Sequence, residues 1–262
     1  MNKTIPQTDQ INTFSLTNRR ILYTGAAGGL GHDTTLALLK AGAHVVGIDN
    51  DPEKIAKLQA AAKSLPEQRL NIVQVDLSNT NALEKTLSEL IRDEPFDVLI
   101  NNAAVYPSKP FEDFTLEEFR AVQAVNVDAA IICAKALLPG MRSRNWGRII
   151  NVSSITFYGG WENLAPYVQS KGALVGLTRA WAREFGKWGI TVNAIAPGAF
   201  PTDAEKIHPN PDEYSQYVLD HQSIKRRGEA KDIANVIQFL ASDAVGFVTG
   251  QTVNVDGGWI MN

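Results

Sequence analysis

The sequence has few of the residues that stabilise small extracellular or metal-binding domains. It contains one cysteine, Cys133, and four histidines. A lone cysteine cannot form an internal disulfide, and so few thiol and imidazole groups disfavour a structural zinc site. The sequence therefore predicts a cytoplasmic protein that binds no metal.

An excess of positive charge and a long apolar run are absent as well. There are 25 basic and 28 acidic residues, a net charge of −3, which gives no broad cationic field for nucleic acid or anionic membranes. No apolar run approaches the roughly 20 residues that span a bilayer. Residues 1–20 lack the apolar centre of a secretory signal. We therefore expect neither nucleic acid nor a membrane as a partner.

The remaining composition is that of an ordinary globular protein. Hydrophobic residues make up 44% of the chain and charged residues 20%, which is too apolar for disorder. A length of 262 residues suits one α/β domain. We expect a flexible tail over residues 1–18 and a single domain over residues 19–262.

Short β-branched or aliphatic runs alternate with longer helical stretches such as Asp51–Ser64 and Thr80–Arg92. The predicted strands are Arg20–Thr24, Ala43–Ile48, Leu70–Val75, Phe96–Ile100, Arg148–Val152, Ile190–Ile195 and Thr252–Val255. This alternation predicts a Rossmann-type, doubly wound parallel sheet with helices on both faces. Ligands of such sheets bind beyond the carboxyl ends of the strands.

The loop after the first predicted strand carries the first functional signal. It reads TGAAGGLG from Thr24 to Gly31 and leads into an apolar helix. Gly25 suits a tight turn, Gly29 lets the backbone approach a diphosphate, and Gly31 removes a side chain where helix packs on strand. No lysine follows the glycines, which excludes a Walker-type phosphate loop. The loop therefore predicts a dinucleotide site at the positive end of the helix.

Asp49 indicates which dinucleotide binds. It follows the second predicted strand, 18 residues after Gly31, near the spacing of roughly 20 that such sites use. A carboxylate there accepts the hydroxyls of the adenosine ribose and repels a 2′-phosphate, and Gly28 offers no cation to neutralise that phosphate. We therefore expect NAD rather than NADP. A solvated turn aspartate is the alternative interpretation.

Five motifs in order resemble the classical short-chain dehydrogenase/reductase family between Arg20 and Trp259. They are Gly25-x-x-x-Gly29-x-Gly31, Asp76-Leu77, Asn101-Asn102-Ala103-Ala104, Ser154-x12-Tyr167-x3-Lys171, and Pro197-Gly198 followed by Thr202. Ala104 stands where the family has glycine, which adds one methyl group near the expected nicotinamide ribose. Gly250 and residues 253–258 resemble the closing strand and turn of the family.

The spacing of Tyr167 and Lys171 supports the resemblance on chemical grounds. The two residues lie four apart in a helical pattern that Pro166 opens, so one helix face would carry both. A nearby cation favours a phenolate, with pKa shifts of about 1–3 units. We expect Lys171 and the positive charge of an oxidised nicotinamide together to lower the pKa of Tyr167 towards the range of a general base. A surface helix pair is the alternative interpretation.

The resemblance implies a role for each expected catalytic residue, Asn126, Ser154, Tyr167 and Lys171. Tyr167 would exchange the proton of the reacting hydroxyl, and Ser154 would hydrogen-bond the reacting oxygen. Lys171 would hold the nicotinamide ribose, and Asn126 would link it to solvent through its backbone carbonyl and a water. Ser153 is expected to be structural, because adjacent strand residues point to opposite faces.

The glycine loop, Asp49 and the resemblance together define the expected cofactor site. Its residues are Gly25, Ala27, Gly28, Gly29, Leu30, Gly31, Asp49, Asp76, Leu77, Asn102, Ala103, Tyr167, Lys171, Pro197, Gly198 and Thr202.

Three other features receive structural interpretations. Cys133 is expected to be a buried helix residue, and Lys225-Arg226-Arg227 to anchor a loop rather than bind nucleic acid. Trp181 and Trp188 are expected to pack. The resemblance implies a homotetramer, and the apolar chain end over residues 253–262 suits burial against a neighbour.

The substrate pocket is expected after Ser154 and in the polar segment after Thr202, which resembles a mobile substrate lid. The expected substrate residues are Thr156, Tyr158, Trp161, Asn163 and His208, with Phe157 and Glu162 in the same stretch. Aromatic faces pack on the C–H surfaces of sugars, and polar groups satisfy hydroxyls. This predicts a small sugar-like substrate, such as an aldose oxidised at its anomeric carbon. Simple packing of the lid is the alternative interpretation.

The sequence therefore predicts an NAD-dependent oxidoreductase that acts on CH–OH groups. The alternatives within the same family are an NADPH-dependent 3-oxoacyl thioester reductase and a secondary-alcohol dehydrogenase. A catalytically silent NAD-sensing or scaffold protein is the alternative of another class. Asp49 disfavours the thioester reductase, and the complete set of four catalytic residues disfavours the silent protein.

Overall fold

A computed structural model describes residues 14–65, 69–202, 205 and 208–262. Within these residues one parallel sheet has the strand order β3-β2-β1-β4-β5-β6-β7. The strands are β1 (Arg20–Thr24), β2 (His44–Asp49), β3 (Leu70–Gln74), β4 (Val98–Asn101), β5 (Gly147–Val152), β6 (Ile190–Pro197) and β7 (Thr252–Val255). Each predicted strand is present, with ends that differ by at most two residues.

Helices follow the strands and cover both faces of the sheet, which confirms the predicted doubly wound fold. They are α1 (Gly29–Lys40), α2 (Pro52–Ala62), α3 (Thr80–Asp93), α4 (Leu116–Gln123), α5 (Ala129–Ser143), α6 (Thr156–Gly159), α7 (Ala165–Phe185), α8 (Pro211–His221) and α9 (Ala230–Ala241). A π-helical turn, Ala124–Asp128, joins α4 to α5.

Alternate residues of each central strand feed two separate cores. Tyr23 of β1 packs with Leu38 of α1 and Ile237 of α9 on one face. Leu22 packs with Leu87 of α3 and residues of α5 on the other. Successive strand residues point to opposite faces, so a strand buried on both sides needs an unbroken apolar sequence such as that of β1.

The β1–α1 loop is pressed against the chain that follows β4. Gly25 has a φ of +67°, and a Cβ there would lie 2.8 Å from Ala103 Cα and 2.9 Å from Asn102 Nδ2. A Cβ on Gly31 would overlap the carbonyl oxygen of Gly25. These contacts confirm the tight turn and the close helix–strand packing predicted for the two glycines.

The packed part of the chain begins before the domain boundary expected at residue 19. Leu16 is fully buried in the core, and its N–H donates to Ala41 O at 3.0 Å. Residues 14–18 are therefore part of the domain, because an apolar side chain is available to anchor them. Residues 1–13 of the expected flexible tail lie outside the described residues.

One helical stretch is longer and more apolar than the sequence-based expectation allowed. Leu116–Ser143, 28 residues across α4, the π-helical turn and α5, could cross a membrane by length and composition alone. The expectation that no segment approaches this length is therefore wrong. Its apolar face, with Leu137 and Met141, packs into the same core as α3. A core helix of this kind passes the same test, and the absence of a membrane partner stays a prediction.

Gly31→Ala should lower the free energy of unfolding by about 1–3 kcal/mol or more, because the new methyl group has no space against Gly25. Gly28→Ala is the matched control, since its nearest neighbour would be Gly25 O at 4.0 Å. We expect its cost to stay within about 1 kcal/mol. Chemical denaturation of both variants makes the measurement, and equal stabilities would contradict the packing assigned to Gly31.

Candidate active site

A cleft of about 1480 Å³ lies beyond the carboxyl ends of the strands, where the strand order reverses between β1 and β4. It is lined by fourteen of the sixteen residues predicted for the cofactor: Gly25, Gly28, Gly29, Leu30, Asp49, Asp76, Leu77, Asn102, Ala103, Tyr167, Lys171, Pro197, Gly198 and Thr202. Ala27 and Gly31 do not line the cleft. They support, from outside it, the loop that does. Gly31 allows the close packing described above.

The glycine loop forms an open cradle at the N-terminus of α1. A Cβ on Gly28 would have only Gly25 O within 4.0 Å, and one on Gly29 would reach the Thr202 side chain at 3.4 Å. No side chain caps α1, and its first turn carries no acidic residue. Backbone N–H groups and the positive helix end therefore face the cleft, which fits a dinucleotide diphosphate.

Asp49 is held in place at the end of the cleft where adenosine is expected. Its carboxylate accepts three backbone N–H groups: that of Ala27 at 2.9 Å, that of Asn50 at 2.9 Å and that of Asp51 at 3.2 Å. The residue is only 8% exposed and still lines the cleft. Its negative charge is thus fixed in position by the loop it stabilises, and Ala27 contributes to the site through this bond.

Lys171 lies on the same face of α7 as Tyr167, as its spacing predicted. Its Nζ donates to Val152 O at 2.7 Å and lies 5.4 Å from the centroid of the Tyr167 ring. Burial lowers the pKa of Lys171 to about 7. The ammonium is therefore only partly charged near neutral pH.

The protein's own groups raise the pKa of Tyr167, so the lowering expected with a bound oxidised nicotinamide stays a prediction. Burial raises the pKa of Tyr167 to about 12, although the hydrogen bond with the Ser154 side chain acts against the rise. Tyr106 raises it further, with its ring 6.2 Å from that of Tyr167. The loss of hydration outweighs the partly neutral Lys171, so additional positive charge is needed to form the phenolate.

Asn126 does not line the cleft and holds two of its walls together. Its side chain bonds both backbone groups of Val105, at 2.8 and 3.0 Å, and donates to Ser170 Oγ at 2.9 Å. It thereby ties the loop after β4 to α7. The water-linked path through its backbone carbonyl stays a prediction.

The two adjacent serines make different hydrogen bonds, but both follow the end of β5 and both line the cleft, so the expectation that strand alternation turns Ser153 away from the site is wrong. Ser153 Oγ donates to Lys171 O at 2.9 Å and so joins β5 to α7. Ser154 Oγ accepts the Thr156 N–H at 3.2 Å and interacts with Tyr167. Ser153 is structural, and Ser154 is available to a reacting oxygen.

Four of the five predicted substrate residues line the cleft: Thr156, Trp161, Asn163 and His208. Thr156 Oγ1 is buried with no hydrogen-bond partner among the described residues. The placement of Tyr158 in the pocket is wrong. It lines a separate depression with Arg179 and Arg183, because the single turn of α6 directs it away from Thr156. Phe157 packs over Gly172 and does not line the cleft either.

The cleft also contains aromatic residues that the sequence analysis did not assign to it. Tyr106 follows β4, and Tyr214 and Tyr217 come from α8. Trp259 lines the cleft of its own chain rather than only facing a neighbour, with its ring 5.5 Å from Trp161. Because Tyr106 follows a parallel strand, its position in the sequence could have predicted that it lines the cleft. No local feature of the sequence predicts that Trp259 does so.

The structural interpretations agree with the geometry. Arg226 pairs with Asp232 at 2.7 Å and Arg227 pairs with Glu205, so both arginines anchor loops. Cys133 is fully buried, which raises its pKa to about 12 and leaves it a poor nucleophile. Trp181 and Trp188 pack on either side of Phe185.

Comparisons with known proteins agree with this architecture over nearly the whole chain. A family model described as enoyl-(acyl carrier protein) reductase matches residues 25–260. The chain is 32% identical to 2-dehydro-3-deoxy-D-gluconate 5-dehydrogenase of Bacillus subtilis, over 95% of the chain and 97% of that protein. It is 34% identical to a 3-oxoacyl-(acyl-carrier-protein) reductase of Pseudomonas aeruginosa, over 95% of the chain and all of that protein.

A solved structure is similar to this chain over a comparable share of its length. Gluconate 5-dehydrogenase from Burkholderia cenocepacia, in complex with NADP and tartrate, superposes with a TM-score of 0.87 at 30% identity. The match covers 94% of this chain and 97% of that one.

The lowered pKa of Lys171 predicts a specific pH dependence of stability. Between about pH 7 and the ordinary value of 10.5, the unfolded chain keeps the proton that the folded chain has lost. Stability therefore rises with pH across this window. Lys171→Met should remove that rise, which we expect to be on the order of a few kcal/mol.

Urea unfolding from pH 6.5 to 10 makes the measurement, with the exposed Lys135→Met as the matched control. If wild type and Lys171→Met share one pH profile, the assigned pKa is wrong.

Proposed function

Because the chain belongs to the classical short-chain dehydrogenase/reductase family, we propose that it is an NAD-dependent dehydrogenase of a small, polar, sugar-like alcohol. The reaction moves a hydride between the carbon of a CH–OH group and a nicotinamide cofactor. The observation that carries the proposal is the placement of Ser154, Tyr167 and Lys171 on one cleft with the glycine cradle.

Each catalytic residue contributes through groups already described. Tyr167 accepts the hydroxyl proton during oxidation, while Ser154 hydrogen-bonds the reacting oxygen. Lys171, held by Val152 O, lies beside the phenol and would bind the ribose hydroxyls. Bound NAD would supply the hydride acceptor and the positive charge that the Tyr167 phenolate requires.

The preference for NAD is supported by the charges at the adenosine end. Asp49, Asp51 and Asp76 line it, and Lys54 is directed at Asp51, with Nζ 3.8 Å from Oδ2. A 2′-phosphate would meet the fixed carboxylate of Asp49. Since a related structure holds NADP, this preference depends on this chain's own residues.

The sugar-like substrate is supported by the aromatic and polar residues that line the cleft beyond Tyr167. Aromatic rings offer apolar faces for sugar C–H groups, and Thr156 and Asn163 offer hydrogen-bonding groups for hydroxyls. An NADPH-dependent 3-oxoacyl thioester reductase is the second candidate, favoured by the Pseudomonas relative. The homotetramer and the cytoplasmic location stay predictions.

Tyr167→Phe should lower kcat for alcohol oxidation by about 10²–10⁴-fold, because it removes the proton acceptor and keeps the ring. In wild type the oxidation rate should rise between pH 7 and pH 10, since a phenol with a raised pKa is mostly protonated at neutral pH. NADH formation with a panel of aldoses, polyols, secondary alcohols and acyl thioesters makes the measurement. NAD affinity, measured by calorimetry, should be retained.

A variant that keeps more than a tenth of wild-type kcat would contradict the role of Tyr167. Activity confined to acyl thioesters or apolar alcohols would overturn the sugar-like substrate.

The cofactor preference can be tested at Asp49. Wild type should have a much higher kcat/KM with NAD than with NADP, and Asp49→Asn should narrow the ratio by removing the charge that repels a 2′-phosphate. The amide oxygen can still accept the N–H groups of Asn50 and Asp51, but the NH₂ group cannot accept the Ala27 N–H, so the NAD affinity of the variant is measured alongside.

Lys54→Gln serves as the control variant. A selective loss of NADP use in this variant would show that Lys54 binds the 2′-phosphate. Equal or better use of NADP by wild type would overturn the preference.

A further inference from the structure

The turn after α6 is built to hold two side chains in the cleft. Gly160 and Asn163 both have left-handed backbones, with φ of +66° and +62°, and they bracket Trp161 and Glu162. The Lys109 N–H donates to Asn163 O at 3.0 Å, which fixes the far end of the turn. We call residues 160–163 the Trp161 turn.

Trp161 belongs to a continuous aromatic wall contributed by three segments of the chain. Its ring lies 5.5 Å from Trp259, which lies 5.8 Å from Tyr217. Tyr217 lies 6.2 Å from Tyr214, which stacks on His208 at 3.5 Å. Neighbouring rings touch, so they form a wall and not the opposed rings of a cage for quaternary ammonium groups. The ring planes are inclined by 60° between Trp161 and Trp259 and by 66° between Trp259 and Tyr217, so the wall offers several apolar surfaces to the C–H groups of a sugar ring.

The charge beside this wall is negative. Glu162 lines the cleft, is exposed, and makes no hydrogen bond or ion pair with any described residue. Glu213 lines the cleft at the start of α8, whereas Glu205 is neutralised by Arg227.

Positive charge is scarce in the same region. Among the described residues, Lys171 is the only lysine or arginine that lines this end of the cleft, and Val152 O holds it. The described residues between positions 198 and 213 carry three carboxylates, Glu205, Asp212 and Glu213, and no lysine or arginine.

We infer that Glu162 makes the site select uncharged ring-shaped polyols and reject substrates that carry a carboxylate. The inference rests on the proposed function and names its substrate class more narrowly. A hydroxyl of a neutral sugar can donate to the Glu162 carboxylate, while a carboxylate would be repelled across a partly hydrated gap. The names of the gluconate and dehydrodeoxygluconate relatives describe acidic substrates, so this chain would differ from them.

The test compares pairs of sugars that differ only in whether they carry a carboxylate. Glucose and glucuronate, and galactose and galacturonate, differ by one CH₂OH replaced with a carboxylate. Calorimetric titration into the protein saturated with NADH measures affinity without oxidising the sugar. Wild type should bind the neutral member of a pair at least about tenfold more tightly, a difference of about 1.4 kcal/mol.

Glu162→Gln should reduce this ratio to below about threefold, because it keeps the shape and removes the charge. Raising the salt concentration should improve binding of the acids to wild type, since mobile ions screen the repulsion. Glu89→Gln, an exposed carboxylate on α3 away from the cleft, is the matched control and should leave the ratio unchanged.

The inference is overturned if the acids bind as well as the neutral sugars, if no sugar of either pair binds, or if Glu162→Gln leaves the ratio unchanged. Its failure is distinguishable from failure of the proposed function. If neutral sugars bind more tightly than the acids but never reduce NAD, the dehydrogenase assignment is wrong. The selectivity assigned to Glu162 would still hold.

Discussion

The contact between the β1–α1 loop and the chain leaving β4 is the constraint on which the rest of the structure depends. Asn102 Nδ2 donates to Gly25 O at 3.0 Å and to Thr24 O at 3.2 Å, across the point where the strand order reverses. A side chain at Gly25 would push these segments apart, and a side chain at Gly31 would push α1 away from the loop that precedes it. The cleft exists because the connections after β1 and β4 diverge here. Gly25 and Gly31 allow close packing at the bottom of the cleft, while the cleft remains open to solvent.

The reacting groups show a balance between burial and charge. Burial strengthens hydrogen bonds to a reacting oxygen, and the same burial opposes ionisation of Tyr167 and Lys171. Val152 O and Ser153 hold Lys171 and its helix in place. The protein therefore fixes the position of the Lys171 side chain more than it supplies positive charge beside Tyr167. In the proposed reaction the additional positive charge would come with the oxidised cofactor, which would couple formation of the Tyr167 phenolate to cofactor binding.

The substrate end is assembled from parts that are distant in sequence. The Trp161 turn, α8 and the end of the chain meet in one aromatic wall, and Asp256 secures the end of the chain by accepting the Ile260 N–H at 2.8 Å. The cofactor end is made of short loops after β1, β2 and β3. Substrate selectivity can therefore change through α8 and the chain end without disturbing the cradle that binds the dinucleotide.

The sequence by itself determined the features that depend on local geometry. Strand alternation, the glycine turn and the four-residue spacing of Tyr167 and Lys171 follow from backbone geometry. Tertiary structure alone decided the place of Trp259, because that place depends on which distant segments pack around it. It also decided the pKa of Tyr167, since burial is a property of the whole fold and no spacing of charges along the chain reports it.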